Sequence, residues 1–86
     1  MANSQHPDIG PIFGSILKRR RTLANVSQEE LAFRAGVDRT YISRLERGVR
    51  QPTITTLIGL GAALGIPASE LVSETEREFL GKETAP

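Results

Sequence analysis

The sequence predicts an all-α fold, a compact bundle of five helices with provision for a short sixth, and three observations carry that prediction. Apolar residues recur at helical spacing in each segment able to bury a face, and no stretch alternates in the manner of a strand. Helix-starting Ser, Thr and Asp and helix-stopping Gly punctuate those segments at short intervals. With no Trp, one Tyr and three Phe, the core must be built from Leu, Ile, Val and Ala, which suits helix packing.

Residues 1–8 are polar, contain Pro7 and show no periodicity, and are expected to form a flexible arm. His6 beside Asp8 has no further metal-type ligands near it in the sequence and belongs to that arm. Helix 1 is expected from Ile9 or Pro11 to Leu23, with Phe13, Ile16 and Leu17 on one face and Lys or Arg on the others. Asn25 follows as a residue that tolerates the left-handed conformation at a helix end. Ser27 and Glu30 have the spacing of a capping box, and Val26 and Leu31 that of a hydrophobic staple, so helix 2 begins there and runs to Gly36. Asp38 then stands where a cap for helix 3 is needed, and Val37 and Ile42 repeat the staple. Helix 3 spans about Arg39 to Arg47 and ends at Gly48. After the turn Val49-Arg50-Gln51-Pro52, Thr53 caps helix 4, which carries Ile54, Leu57, Leu60, Gly61 and Leu64 and ends at Gly65. Gly59 and Gly61 each cost about 1 kcal/mol relative to Ala inside a helix, so either close packing demands them or helix 4 is marginal. Helix 5 is expected from Pro67 to Val72, a sixth short helix from Glu74 to Leu80, and a disordered tail over 81–86.

The length bounds the chain to one domain with one modest core, here residues 9–80, and leaves no room for a deep enzyme cleft. The absence of cysteine excludes disulfide scaffolds, thiolate zinc sites and cysteine nucleophiles. No Gly-rich phosphate loop, paired-carboxylate pocket or metal spacing occurs, so no catalytic residue, metal or cofactor is expected and the chain is read as no enzyme. No run reaches the length of a membrane span, and the opening six residues lack the basic start and apolar stretch of a signal peptide. A cytoplasmic protein without membrane contact is the expectation. The formal net charge of +1 conceals an asymmetry. Residues 1–52 hold nine Lys/Arg against five acids, whereas residues 53–86 hold two against five. One end is therefore suited to phosphate and the other is not, although Lys18 to Arg21 taken alone is equally a solvated helix face.

Two capped helices joined only by Gly36-Val37-Asp38 must cross steeply, which is the helix-turn-helix geometry. In helix 3, Ile42 and Leu45 point inward and leave Arg39, Thr40, Ser43, Arg44 and Arg47 outside. Donors exposed at the start of a helix are what major-groove reading requires, because Arg bonds two acceptors on guanine and Thr offers a hydroxyl and a methyl. An amphipathic helix with a solvated basic face would show the same residues, but not the same turn, caps and Gln28 in register.

Ser27-Gln28-Glu29-Glu30-Leu31-Ala32, then Ala35-Gly36-Val37, Tyr41 through Gly48, Pro52-Thr53 and Leu57 together resemble the Xre-like helix-turn-helix family, which includes Cro and the phage repressors. The resemblance runs from about Phe13 to Val72, and Asp38-Arg39-Thr40-Tyr41-Ile42-Ser43 is most similar to the controller proteins of restriction-modification systems. It implies a lambda-repressor-like DNA-binding domain and a sequence-specific transcriptional regulator of double-stranded DNA. It further implies that Arg39, Thr40, Ser43 and Arg44 read bases, while Gln28, Tyr41, Arg47 and Arg50 meet the phosphate backbone, with loop backbone N–H groups beside Arg50 sharing that grip. Glu46 is implied to pair internally with Arg21. Arg20 departs from the family, which has an aliphatic residue there, and its methylene stem is expected to cover the core edge with its charge in solvent.

One domain of this size reads one short half-site, so a homodimer on a palindromic operator is expected. Ile58, Leu71, Val72, Phe79 and Leu80 are the surplus apolar residues available for its interface, although Leu71 and Val72 could instead close the core. No small-molecule ligand is implied. The competing expectation is a protein-interaction module of the same fold, an antitoxin or coactivator, binding a partner through its C-terminal helices.

Overall fold

The computed structural model describes residues 8–84, with side chains through Leu80. The arm assigned to residues 1–8 lies outside this range except for Asp8, as do residues 85–86 of the tail. Among the described residues the chain forms five helices and no strand: α1 (Ile9–Leu23), α2 (Gln28–Ala35), α3 (Arg39–Glu46), α4 (Ile54–Leu64) and α5 (Ala68–Thr84).

Local chemistry sets the boundaries. Asn25 takes φ 60° after α1, a conformation that Asn tolerates better than most residues. Ser27 Oγ accepts from the Glu30 N–H at 3.0 Å and starts α2. The reciprocal half of the capping box does not form, because the Glu30 carboxylate accepts from Arg34 Nε at 2.8 Å one turn along the helix. The carboxylate bonds the charged guanidinium in preference to the uncharged N–H of Ser27. Gly36 closes α2 in the left-handed region at φ 71°. Asp38 occupies the cap position of α3 without a side-chain bond; its carbonyl accepts from Tyr41 and Ile42 instead. Thr53 caps α4 through the Thr56 N–H at 3.2 Å.

The two expected C-terminal helices are one helix. Pro67 precedes α5, whose seventeen residues run without interruption through Ser73 and on to Thr84, four residues into the expected tail. No Gly or Pro lies between Ala68 and Leu80 to stop the helix. Tertiary contacts with α1 and α4 hold it.

Ile16, Leu17, Leu31, Ile42, Leu45, Leu60 and Leu71 are fully buried and form a single core in which all five helices take part. Both members of the first staple, Val26 and Leu31, are in it. Leu71 therefore closes the core and is withdrawn from the expected dimer face, since it has no accessible surface to offer. Ile54 is corrected in the opposite sense: it is 71% exposed and does not join the buried side of α4. Backbone approach explains one of the two central glycines of α4. A Cβ on Gly61 would stand 2.8–2.9 Å from the Ala68 backbone and Ile66 O, whereas one on Gly59 would meet only Ala35 O at 3.6 Å. Gly14 of α1 is likewise required, because a Cβ there would run into the carbonyl oxygens of Leu45 and Glu46. No single helix among the described residues is long and apolar enough to cross a membrane.

Candidate nucleic-acid interface

α3 is placed by its two buried residues. Ile42 and Leu45 have no exposed surface, Tyr41 is half-buried against the core, and Arg39, Thr40, Arg44 and Arg47 are left exposed on the opposite arc. Ser43 is half-buried in the middle of that arc, where its Oγ accepts from Arg47 Nε at 3.4 Å. Arg39, Thr40 and Arg44 carry no side-chain hydrogen bond or ion pair among the described residues, so their donors face solvent.

Behind this arc lies a buried polar cluster. Arg21 Nε donates to Glu46 Oε2 at 2.6 Å and Arg21 Nη2 to Glu46 Oε1 at 3.0 Å, while Nη1 reaches Val26 O at 2.9 Å. Gln28 Nε2 donates to the same Glu46 Oε1 at 3.0 Å. The Glu46 carboxylate is 3% exposed and the Arg21 side chain 11%. The bonds to Glu46 hold the Arg21 guanidinium above its ordinary value, against the desolvation that lowers it. Because α1, α2 and α3 each contribute one member, the cluster fixes the end of α3 relative to the scaffold. The Gln28 amide, expected at the phosphate backbone, is half-buried and engaged by Glu46 here.

The loop after α3 is tied to the helix end. The backbone N–H groups of Val49 and Arg50 both point at Arg44 O, at 3.0 and 3.4 Å. They are not free to hold a phosphate as the family resemblance implied; the exposed guanidinium of Arg50 is what this loop presents. A corresponding sorting separates the arginines of α1 and α2 from those of α3 and its loop. Arg19, Arg20, Arg21 and Arg34 are all paired with carboxylates. Arg39, Arg44, Arg47 and Arg50 have no such partner among the described residues; Lys18 on α1 and Arg77 on α5 have none either, so α3 and its following loop hold the largest group of unneutralised positive charges.

Arg20 departs from its expected role. Its Nε donates to Glu74 Oε2 at 2.9 Å and its Nη2 to both Glu74 and Glu70, so the charge is spent on α5 and not left in solvent. Arg19 adds a bond to Glu74 at 3.2 Å and approaches Glu78 at 4.0 Å. The sequence does signal that Glu70, Glu74 and Glu78 share a helix face, through their four-residue spacing, but contains no signal that this face meets α1.

On the side of α5 away from that array lies a groove of about 430 Å³ between α1, the 51–52 turn and α4, with Ile9, Phe13, Pro52, Leu57, Val72 and Phe79 among its walls. Of the apolar residues expected at a dimer face, Ile58, Val72 and Leu80 are exposed and Phe79 is half-buried, packed against the core. Ile54, one turn before Ile58, is exposed as well, because its helical spacing fits the edge of α4 as well as the buried side. Among the described residues no group of three His, Cys, Asp or Glu is placed to hold a metal.

A Helix-turn-helix family model matches residues 17–71. The control protein C.MunI of Mycoplasma sp is 42% identical over 72 residues, covering 83% of this chain and 97% of the relative. The restriction-modification controller protein C.AhdI of Aeromonas hydrophila superposes with a TM-score of 0.71 at 41% identity, covering 74% of this chain and 96% of that one. The controller protein C.Esp1396I, solved as a tetramer with its natural 35 base-pair operator, superposes with a TM-score of 0.74 at 29% identity over 84% of this chain and 95% of that one.

Proposed function

Since the chain belongs to the helix-turn-helix family, we propose that it is a sequence-specific DNA-binding transcriptional regulator that enters the major groove with α3. The observation that carries this reading is the outward arc of α3, where Arg39, Thr40 and Arg44 stand exposed with no intramolecular partner among the described residues. Long donors held out from a rigid helix gain nothing from the fold and are free to meet acceptors on base edges. Arg39, Thr40, Ser43 and Arg44 are assigned to bases, and Arg47, Arg50, Tyr41 and Gln28 to the phosphate backbone. For Gln28 the assignment requires its amide to serve DNA and Glu46 at once, which its two N–H groups permit. A regulator of this class works in the cytoplasm, on the nucleoid when bound.

The working unit is a homodimer. Ile58, Val72, Phe79 and Leu80, with Ile54 added and Leu71 removed, form the apolar face that a second copy covers, and α5 serves as the dimerisation helix of a domain that spans residues 9–80. Two recognition helices then stand about 34 Å apart, one turn of duplex, on a palindromic operator. The tetramer of the related C.Esp1396I on its operator supports assembly on DNA by this kind of chain.

Selection of bound sites from random duplex DNA tests the reading. Enrichment of an inverted repeat is expected. Absence of any enriched sequence would turn the assignment to a protein-interaction module of the same fold.

A further inference from the structure

α5 is long, and its apolar anchor is narrow: Leu71 enters the core, with Ala68 and Phe79 packed against it. Among the α5 residues whose side chains are described, only Leu71 and Thr75 are buried, and the Thr75 hydroxyl is spent on its own helix, donating to Leu71 O at 2.7 Å. What α5 has in addition is charge. Glu74, only 17% exposed, accepts from Arg20 through both Nε and Nη2 and from Arg19 Nη2. Glu70 accepts from Arg20 at 2.9 Å, and Glu78 lies 4.0 Å from Arg19. Three acids one turn apart thus meet two neighbouring arginines of α1 along the length of the contact.

We infer that this array is a latch that sets the position of α5 on α1, and through it the geometry of the dimer face, with Glu74 as the positioning residue. The inference rests on the dimer reading above. Its physical basis is the placement of the charges around the helix. At 3.6 residues per turn, Val72 and Leu80 lie roughly 160° and 120° around α5 from Glu74. The acids face α1 while the apolar residues face the groove and solvent. Neutralising Glu74 therefore removes no atom from the dimer face, and any effect on association must pass through the seating of α5. Because the pairs are partly exposed, salt screens them; an interface held by apolar burial alone is not weakened that way.

The test is the dimer constant measured by sedimentation equilibrium without DNA, at low and high salt, for the full chain, for Glu74→Gln, and for the double variant Arg20→Leu/Glu74→Leu. The double variant exchanges the latch for an apolar contact at the same place, an exchange that proteins often accept without loss. Helicity and binding to a single half-site duplex are read alongside. The expected result is a wild-type dimer that weakens with salt, a Glu74→Gln dimer weakened by about tenfold with half-site binding retained, and a leucine pair that restores association and removes its salt dependence. Restoration by the leucine pair is the readout even if Glu74→Gln loses helicity. A wild-type dimer unaffected by salt, a Glu74→Gln dimer as tight as wild type, or a leucine pair that stays monomeric would overturn the latch alone. A wild-type chain that is monomeric even with operator present would remove the dimer reading itself, and the latch with it.

Discussion

At the head of α3 the Arg39 guanidinium has no carboxylate partner among the described residues, and its five N–H donors suit the two acceptors of guanine. Arg39→Ala is expected to weaken operator binding by about 1–3 kcal/mol while hardly changing affinity for unrelated duplex. Equal losses on the two DNAs in a gel-shift titration would make Arg39 a phosphate contact. Arg50 differs because it lies in the loop, beyond the reading arc. Arg50→Ala should lower affinity on every sequence and reduce the slope of log K against log salt by about one. Glu46 belongs to the scaffold: truncating it leaves the Arg21 guanidinium buried without its counter-charge. Glu46→Ala is therefore expected to cost about 3–5 kcal/mol in urea unfolding, and a loss below about 1 kcal/mol would mean that the pair behaves as a solvated one.

Among the elements, α4 carries a test of opposite signs within three residues. Gly59 has open space and ordinary contact distance around it, so Gly59→Ala should stabilise the chain by up to about 1 kcal/mol through helix propensity. Gly61 is pressed against the Ala68 backbone, and Gly61→Ala should destabilise it by about 1–3 kcal/mol through overpacking. Thermal melts of the two variants that shift in the same direction would contradict the close approach of α4 to the start of α5. The contact between α1 and α5 has a further signature in acid. The hydrogen bond from Arg20, then that from Arg19, hold the Glu74 carboxyl below the ordinary glutamate range, against a desolvation that raises it. A group depressed in the folded state contributes its stability above its unfolded pKa, about 4.3, and loses it as pH falls through the folded value. Acid unfolding of wild type should accordingly show a proton uptake between those two values that Glu74→Gln lacks. Superimposable acid profiles would place the two side chains apart in solution.

For the whole molecule, the sorting of charge decides where a polyanion can sit. The basic run in α1 is prominent in the sequence, yet Arg19, Arg20 and Arg21 are consumed by Glu74, Glu70 and Glu46. The largest group of positive charges that remains is on α3 and the loop behind it, on a molecule whose second half is acidic. With two such units joined through the apolar side of α4 and α5, spacing becomes a strict requirement. Inserting about five base pairs, half a helical turn, between the half-sites should place the second site on the far face of the duplex and abolish tight binding. Removing a further half turn's mismatch by inserting about ten should recover part of it. Insensitivity to spacing in a footprinting titration would show that each copy binds alone.

The sequence by itself determined α1 to α4, because caps, staples and left-handed stops act within a few residues: Ser27 on Glu30, Thr53 on Thr56 and Gly36 after Ala35 are visible without knowing the fold. It also determined which side of α3 is buried, since Ile42 and Leu45 leave only one arc for the core. The family was legible for the same reason, as its motif is a run of local signals. The continuity of α5 was legible too, in the absence of Gly or Pro between Ala68 and Leu80; only tertiary structure decided that Leu71 is core while Ile54 is surface, and that Arg20 is paired with Glu74 and Glu70. Those outcomes depend on which faces of α1, α4 and α5 meet, and the Arg20 pairs join residues 50 and 54 positions apart. Periodicity says that a face exists, and the partner it finds is set by packing the whole core at once.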